Sequence, residues 1–144
     1  MYAAERNPER NAVADGVASL TYHQWVDRVL ATADGLAARG VRHGDRVAIG
    51  MRNSTDAATV FFATQALGAV AVPFNFRFKA EGIAQILADA GAVAVVCDDG
   101  VLGESALGET TGDLIRVTTS PVASAGWVSL DGLCAGAATT VHGT

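Results

Sequence analysis

Ala66 to Val96 reads ALGAVAVPFNFRFKAEGIAQILADAGAVAVV, and the reading of this stretch decides the fold. Ala69 to Val72 is a short apolar run stopped by Pro73, which has no N–H to give a sheet. Phe74 to Phe78 is an aromatic and basic loop, after which Ile83, Ile86, Leu87 and Ala90 recur at helical spacing. Ala92 to Val96 resumes the apolar run. Neither run alternates, the pattern of strands covered on both faces by helices, so the stretch reads as a βαβ unit of a parallel sheet.

Upstream, Ala12-Val13-Ala14 and Val17-Ala18-Ser19-Leu20 flank Asp15-Gly16, a hairpin signal because a tight two-residue turn needs positive φ. Thr21 with Gln24 three positions on forms a capping box, and the helix it opens runs to about Arg39 with Gly40 as its stop. Tyr22, Trp25 or Val26, Val29, Ala33 and Leu36 share its apolar face. Gly44-Asp45 turns the chain into a strand, Arg46 to Met51, with Val47 and Ile49 pointing one way and Ala48 the other. Asn53 or Ser54 caps a second helix over about Thr55 to Leu67, its apolar face made of Val60, Phe61, Ala63, Thr64 and Leu67 and its stop Gly68. The third helix spans about Ala80 to Ala90, again followed by Gly91.

The signal fades from Asp98 onward. Asp98-Asp99-Gly100 reads as a turn, Val101 to Asp113 as a weak helix or loop, and Leu114 to Thr118 as one more strand. The tail after Leu133 has almost nothing large to bury and is expected to be weakly structured. The fold class is α/β: an N-terminal β-hairpin, then alternating βαβ units with right-handed crossovers in a three-layer, mostly parallel sheet. Residues 1–133 form one unit and 134–144 the tail.

Composition narrows the function. The 144 residues carry a net charge of −5, and the ten basic side chains are scattered singly through the first 116 positions. No basic stripe exists to neutralise several phosphates, which argues against a nucleic-acid partner. The longest uncharged runs, Ala57 to Phe76 and Val117 to Leu130, are interrupted by Pro73 and Asn75 or rich in Ser and Thr, unlike a membrane span. MYAAERNPER lacks the apolar core of a signal peptide, so a cytoplasmic protein is expected. Cys97 and Cys134 have neither CxxC spacing nor ligand neighbours, and both are expected as reduced thiols. His23, His43 and His142 are far apart, with no acid, Cys or Ser at catalytic spacing.

Four short motifs invite a functional reading and each has a simpler one. Gly108-Glu109-Thr110-Thr111-Gly112 has the small and hydroxyl residues of a phosphate loop, but Glu109 and Asp113 would repel a triphosphate and no Lys follows Lys79. Gly100-x-x-Gly103 lacks the spacing of a dinucleotide fingerprint. Ser54, Thr55 and Thr59 stand where a helix N-terminus could take an anion, but Asp56 already complements that dipole and capping explains the hydroxyls. Phe74, Phe76 and Phe78 could wall a pocket at the strand end; packing beneath the loop is favoured, with Asn75 bonding backbone and Arg77 pairing a carboxylate such as Glu81.

Three blocks carry a resemblance to a known family. Leu20-Thr21-Tyr22 precedes the first helix. Gly40-Val41 is followed by Gly44-Asp45-Arg46-Val47-Ala48-Ile49 and Asn53-Ser54. Leu67, Gly68, Ala69, Val70, Pro73, Asn75 and Arg77 come last. Over about Asn7 to Val96 the chain resembles the N-terminal part of the AMP-forming acyl-CoA synthetases, members of the adenylate-forming ligase superfamily. The resemblance implies an incomplete domain of a larger enzyme. That enzyme would use ATP, Mg²⁺ and CoA, turning a fatty or other carboxylic acid into acyl-adenylate and then acyl-CoA. The family's Pro-Lys-Gly phosphate loop, its later adenylate-binding motifs and its C-terminal Lys have no counterpart among these residues. The resemblance therefore assigns no catalytic, cofactor-binding or metal residue here, and the chain alone is expected to be inactive. Two other readings compete: a non-catalytic α/β module that docks on a partner or pairs as a homodimer, and a small nucleotide-binding enzyme of flavodoxin-like form. The last is disfavoured because no strand-to-helix junction offers a phosphate site free of acids.

Overall fold

The computed structural model describes residues 11–14, 19–52, 54–75, 80–98, 114–119 and 126–141. Two short strands, β1 (Asn11–Ala14) and β2 (Ser19–Thr21), pair antiparallel. Ala14 pairs with Ser19 rather than with Val17, the partner that a two-residue turn at Asp15-Gly16 would impose. Helix α1 (Tyr22–Ala38) opens on the anticipated capping box: Thr21 Oγ1 accepts from the Gln24 N–H at 3.1 Å and Gln24 Oε1 from the Thr21 N–H at 3.0 Å. It leaves through Gly40 at φ 116°, a backbone state that glycine tolerates at little cost.

A five-stranded parallel sheet follows, built from β3 (Arg46–Gly50), β4 (Val70–Pro73), β5 (Ala92–Cys97), β6 (Ile115–Thr118) and β7 (Val128–Ser129), in the order β4-β3-β5-β6-β7. Helix α2 (Thr55–Ala66) joins β3 to β4, and α3 (Ala80–Ala90) leads from β4 to β5 on the far side of β3. This is the doubly wound order, with the direction of strand addition reversing between β3 and β5. The α/β class and the parallel sheet expected from the sequence are both present, and β7 is a strand that the sequence reading did not contain.

Side chains divide by strand parity. Val47 and Ile49 of β3, Ala94 and Val96 of β5 and Val117 of β6 meet Leu36 of α1, Val60 of α2 and, from the last helix, Leu130 and Leu133. On the opposite face Ala48, Val95 and Cys97 pack with Ile83 and Leu87 of α3 and with Trp127. The sheet is thus clothed on both sides, as its unalternating strands require. β4 is the exception: as an edge strand it leaves Val70 48% exposed, and Pro73 sits there because an edge position can forgo an N–H.

Two sequence expectations are corrected. Residues 134–141 are helical where a weakly structured tail was expected: α4 (Leu130–Val141) runs through Cys134 and Ala135 to Val141. Gly35 of α1 allows its close approach, since a Cβ there would lie 2.6 Å from both Leu133 Cγ and the Leu133 carbonyl oxygen. The second correction concerns α2, whose buried positions are Thr55, Thr59, Val60, Ala63 and Thr64, with Phe61 turned outward. The segments Gly100 to Asp113 and Phe76 to Lys79 lie outside the described residues, and with them the Thr-Thr-Gly and Gly-x-x-Gly motifs and Arg77.

Candidate functional site

Folds with this strand order take ligands in the crevice outside the strand carboxyl ends, where the order reverses. In this chain the residues at the ends of β3 and β5 are committed to each other. Asp98, the residue after β5, is buried, and its Oδ2 accepts from the Arg52 backbone N–H at 2.8 Å and from Arg52 Nε at 3.1 Å. A buried carboxylate is costly without such partners, so the pair ties the two central strands together at their exits. It also places a carboxylate where a nucleotide-binding relative of this topology would hold phosphate. Beside it, burial first and the charge of Asp98 second push the Cys97 thiol up to about 12, leaving it protonated and a poor nucleophile near neutrality.

One strand over, a cavity of about 340 Å³ opens between the ends of β3 and β4 and the first turns of α2. Ile49, Met51, Pro73, Phe74, Ala57, Ala58 and Phe61 line it, with Ser54 as the polar member. Phe74 reaches this position by lying over Gly50, where a Cβ would collide with its ring. The Ser54 hydroxyl accepts from the Ala57 N–H at 3.0 Å and so acts as the helix cap. The cavity has the size and lining of an apolar site, and none of the described residues lining it is charged.

The residues singled out from sequence divide accordingly. Ser54 caps, Thr59 Oγ1 donates to the Thr55 carbonyl at 2.7 Å, and Asp56 lies 3.8 Å from Arg28 of α1, so the hydroxyl-bearing helix start is structural. Phe74 lines the cavity. His23 sits 3.5 Å from Asp27 on the exposed face of α1 and His43 packs against Gly68, far from the strand exits. Cys134 lies 3.3 Å from Thr32 Oγ1 in the α1–α4 contact. Sequence reading missed the Arg52–Asp98 pair; an acid directly after the strand Ala92–Cys97 was its signal, but the partner stands 46 residues away.

The described residues contain no group of three His, Cys, Asp or Glu side chains placed to hold a metal ion, and Lys79, the single Lys of the chain, lies outside them. None of the described helices is long and apolar enough to cross a membrane.

The described residues form a doubly wound α/β unit in which Arg52 and Asp98 pair at the exits of β3 and β5. The AMP-binding enzyme family model matches residues 2–139, so the chain belongs to that family. It is 43% identical over 94 residues to a feruloyl-CoA synthase from Amycolatopsis sp, covering 65% of this chain and 19% of that protein. To a 2-succinylbenzoate–CoA ligase from Geobacillus sp. (strain WCH70) it is 39% identical over 99 residues, 69% of this chain and 20% of the relative. The crystal structure of the anthranilate CoA ligase AuaEII in complex with anthranoyl-AMP superposes with a TM-score of 0.86 at 21% identity, over 94% of this chain and 26% of that one, a likeness of fold. The chain thus spans about a fifth of the length of the curated relatives it matches. Within the family it corresponds to the N-terminal part of the AMP-forming acyl-CoA ligases, as its three sequence blocks indicated.

Proposed function

We propose that this chain is the N-terminal scaffold of an ATP-dependent carboxylic acid:CoA ligase and carries none of its catalytic groups. The observation that carries this reading is the strand exit between β3 and β5. There the Arg52–Asp98 pair and a protonated Cys97 replace any grip on phosphate, in a chain whose family chemistry requires one. In the complete enzyme the acid carboxylate attacks the α-phosphate of ATP, pyrophosphate leaves, and the CoA thiol then takes the acyl group and releases AMP. The contribution of the present residues is to hold the parallel sheet on which the rest is assembled. The names of the relatives point to carboxylic acids that include aromatic ones, and a cytoplasmic setting agrees with ATP and CoA as co-substrates.

The purified chain, incubated with Mg-ATP, CoA and separately with ferulate, 2-succinylbenzoate and a long-chain fatty acid, is expected to release no pyrophosphate above a protein-free control. Acid-dependent pyrophosphate release, or tight Mg-ATP binding by calorimetry, would overturn the reading.

A further inference from the structure

Another cavity, of about 400 Å³, opens where the strands begin, at the opposite end of the sheet from the Arg52–Asp98 pair. Ala38 and Arg39 at the end of α1, Leu114, Ile115 and Arg116 at the start of β6, and Gly126 line it. Two guanidinium groups far apart in sequence therefore wall one hollow. Arg39 is exposed and forms no ion pair among the described residues, although acidic side chains outnumber basic ones by 15 to 10 in the chain. Arg116 is half-buried, with its guanidinium against Gly126, where a Cβ would collide with Nη2. Gly126 stands at φ 83°, so glycine serves both the turn and the passage of the side chain. A guanidinium has several N–H donors and can serve a protein partner and a ligand at once.

An anion beside a helix C-terminus ordinarily meets repulsion from the last carbonyls. Here Arg42 Nη1 donates to the carbonyls of Ala37 and Val41 at 3.0 and 3.3 Å, which offsets that repulsion and brings a further positive charge to the helix end. The described acids nearest in sequence to these arginines, Asp34 and Asp45, do not line the cavity, and Asp45 Oδ2 accepts from the Arg42 backbone N–H at 2.8 Å.

We propose that this cavity binds the oxyanion group, phosphate or carboxylate, of a small organic molecule between Arg39 and Arg116, with Leu114 and Ile115 against the remainder of the molecule. The planar fork of arginine matches either group with paired N–H···O bonds, which an ammonium cannot do. The volume exceeds what a bare ion needs and falls in the range of small-molecule sites.

Calorimetric titration of the 144-residue chain in phosphate-free buffer at low salt, with phenyl phosphate, benzoate and neutral benzyl alcohol, tests the site. Phenyl phosphate or benzoate should bind saturably at one site per chain, the tighter of the two naming the group, and benzyl alcohol should not bind. Arg39→Gln should weaken that binding about tenfold or more, the loss of a charge-assisted hydrogen bond. Leu30→Glu, on the exposed side of α1, lowers the net charge by the same single unit and should leave the affinity within about twofold. Gly126→Ala, which pushes into Arg116, should also weaken binding. Since a side chain at that φ strains the fold, Arg39→Gln is the deciding variant, with circular dichroism checking that each protein is folded. Three outcomes overturn the proposal: no saturable binding of either anion, benzyl alcohol binding as tightly as the anions, or equal effects of Arg39→Gln and Leu30→Glu.

Discussion

Helices α1 and α2 lie side by side on the same face of the sheet, yet their outer surfaces follow opposite rules. The outer surface of α1 carries His23, Gln24 and Asp27 with Leu30 as a lone exposed apolar residue, while that of α2 carries Phe61 and Phe62 beside Gln65. Their inner surfaces are alike. Val29 and Ala33 of α1 meet Ala63 of α2, and buried threonines in both helices return their hydroxyls to carbonyls four residues back. Small inner residues let the backbones approach, at the cost of little buried apolar area per residue. The difference teaches that two helices packed alike on one sheet face can present unlike outer surfaces, polar on α1 and aromatic on α2.

Substitutions along the two helices break or sharpen this comparison. The largest effect is expected from Gly35→Val on the inner side of α1. The added side chain meets the Leu133 backbone at 2.6 Å, which cannot yield as a flexible side chain would, so denaturant unfolding should report a loss of about 3 kcal/mol or more, or no folding. Next come Val29→Ala and Val60→Ala, one in each helix and both fully buried. Each should cost about 2 kcal/mol by chemical denaturation, and a clear inequality would break the claim that the inner faces are equivalent.

A smaller change is expected from Arg28→Ala, since Arg28 Nη2 holds Asp131 of α4 at 2.7 Å and lies 3.8 Å from Asp56 of α2. Asp131 is largely exposed, so the loss should be about 0.5 kcal/mol and should shrink as salt is raised. The smallest shift belongs to the outer faces. Asp27→Ala and Phe61→Ser should each move the melting temperature of the isolated chain little, a change of about 0.5 kcal/mol or less. They should differ in solubility, which improves only for Phe61→Ser. A large destabilisation by Phe61→Ser in the isolated chain would mean that α2 already uses its outer face within this domain.

The parts of the fold legible in the sequence were those governed by short-range rules. Thr21 with Gln24, Ser54 before α2, and the glycines after three helices mark their boundaries because capping and positive φ are local requirements. Alternation across β3 was equally readable, Val47 and Ile49 against Ala48, since successive side chains point to opposite faces. The misread elements turned on packing. Phe61 was assigned to the apolar face of α2 on hydrophobicity, but Ala63 packs against α1 and Thr59 is buried instead. The residues past Leu133 were discounted for being small, yet α4 is held by the contact of Leu133 with Gly35, a packing partner distant in sequence.

At the strand exits the same division holds. Phe74 was visible as an aromatic residue after a strand, and Ser54 as a cap. Arg52 and Asp98 are unremarkable in sequence, and become a pair only because β3 and β5 are neighbours in a sheet whose order is not the chain order.

What the residues by themselves determined, then, was an α/β chain of helices and parallel strands with recognisable starts and stops, kin to a ligase family, because caps, turns and periodicity act within a few residues. Only the tertiary structure decided that β3 and β5 lie side by side and bury Asp98 against Arg52. It also decided that Phe61 and Phe62 face outward, since which side of an apolar helix is inner depends on the shape of the surface it meets.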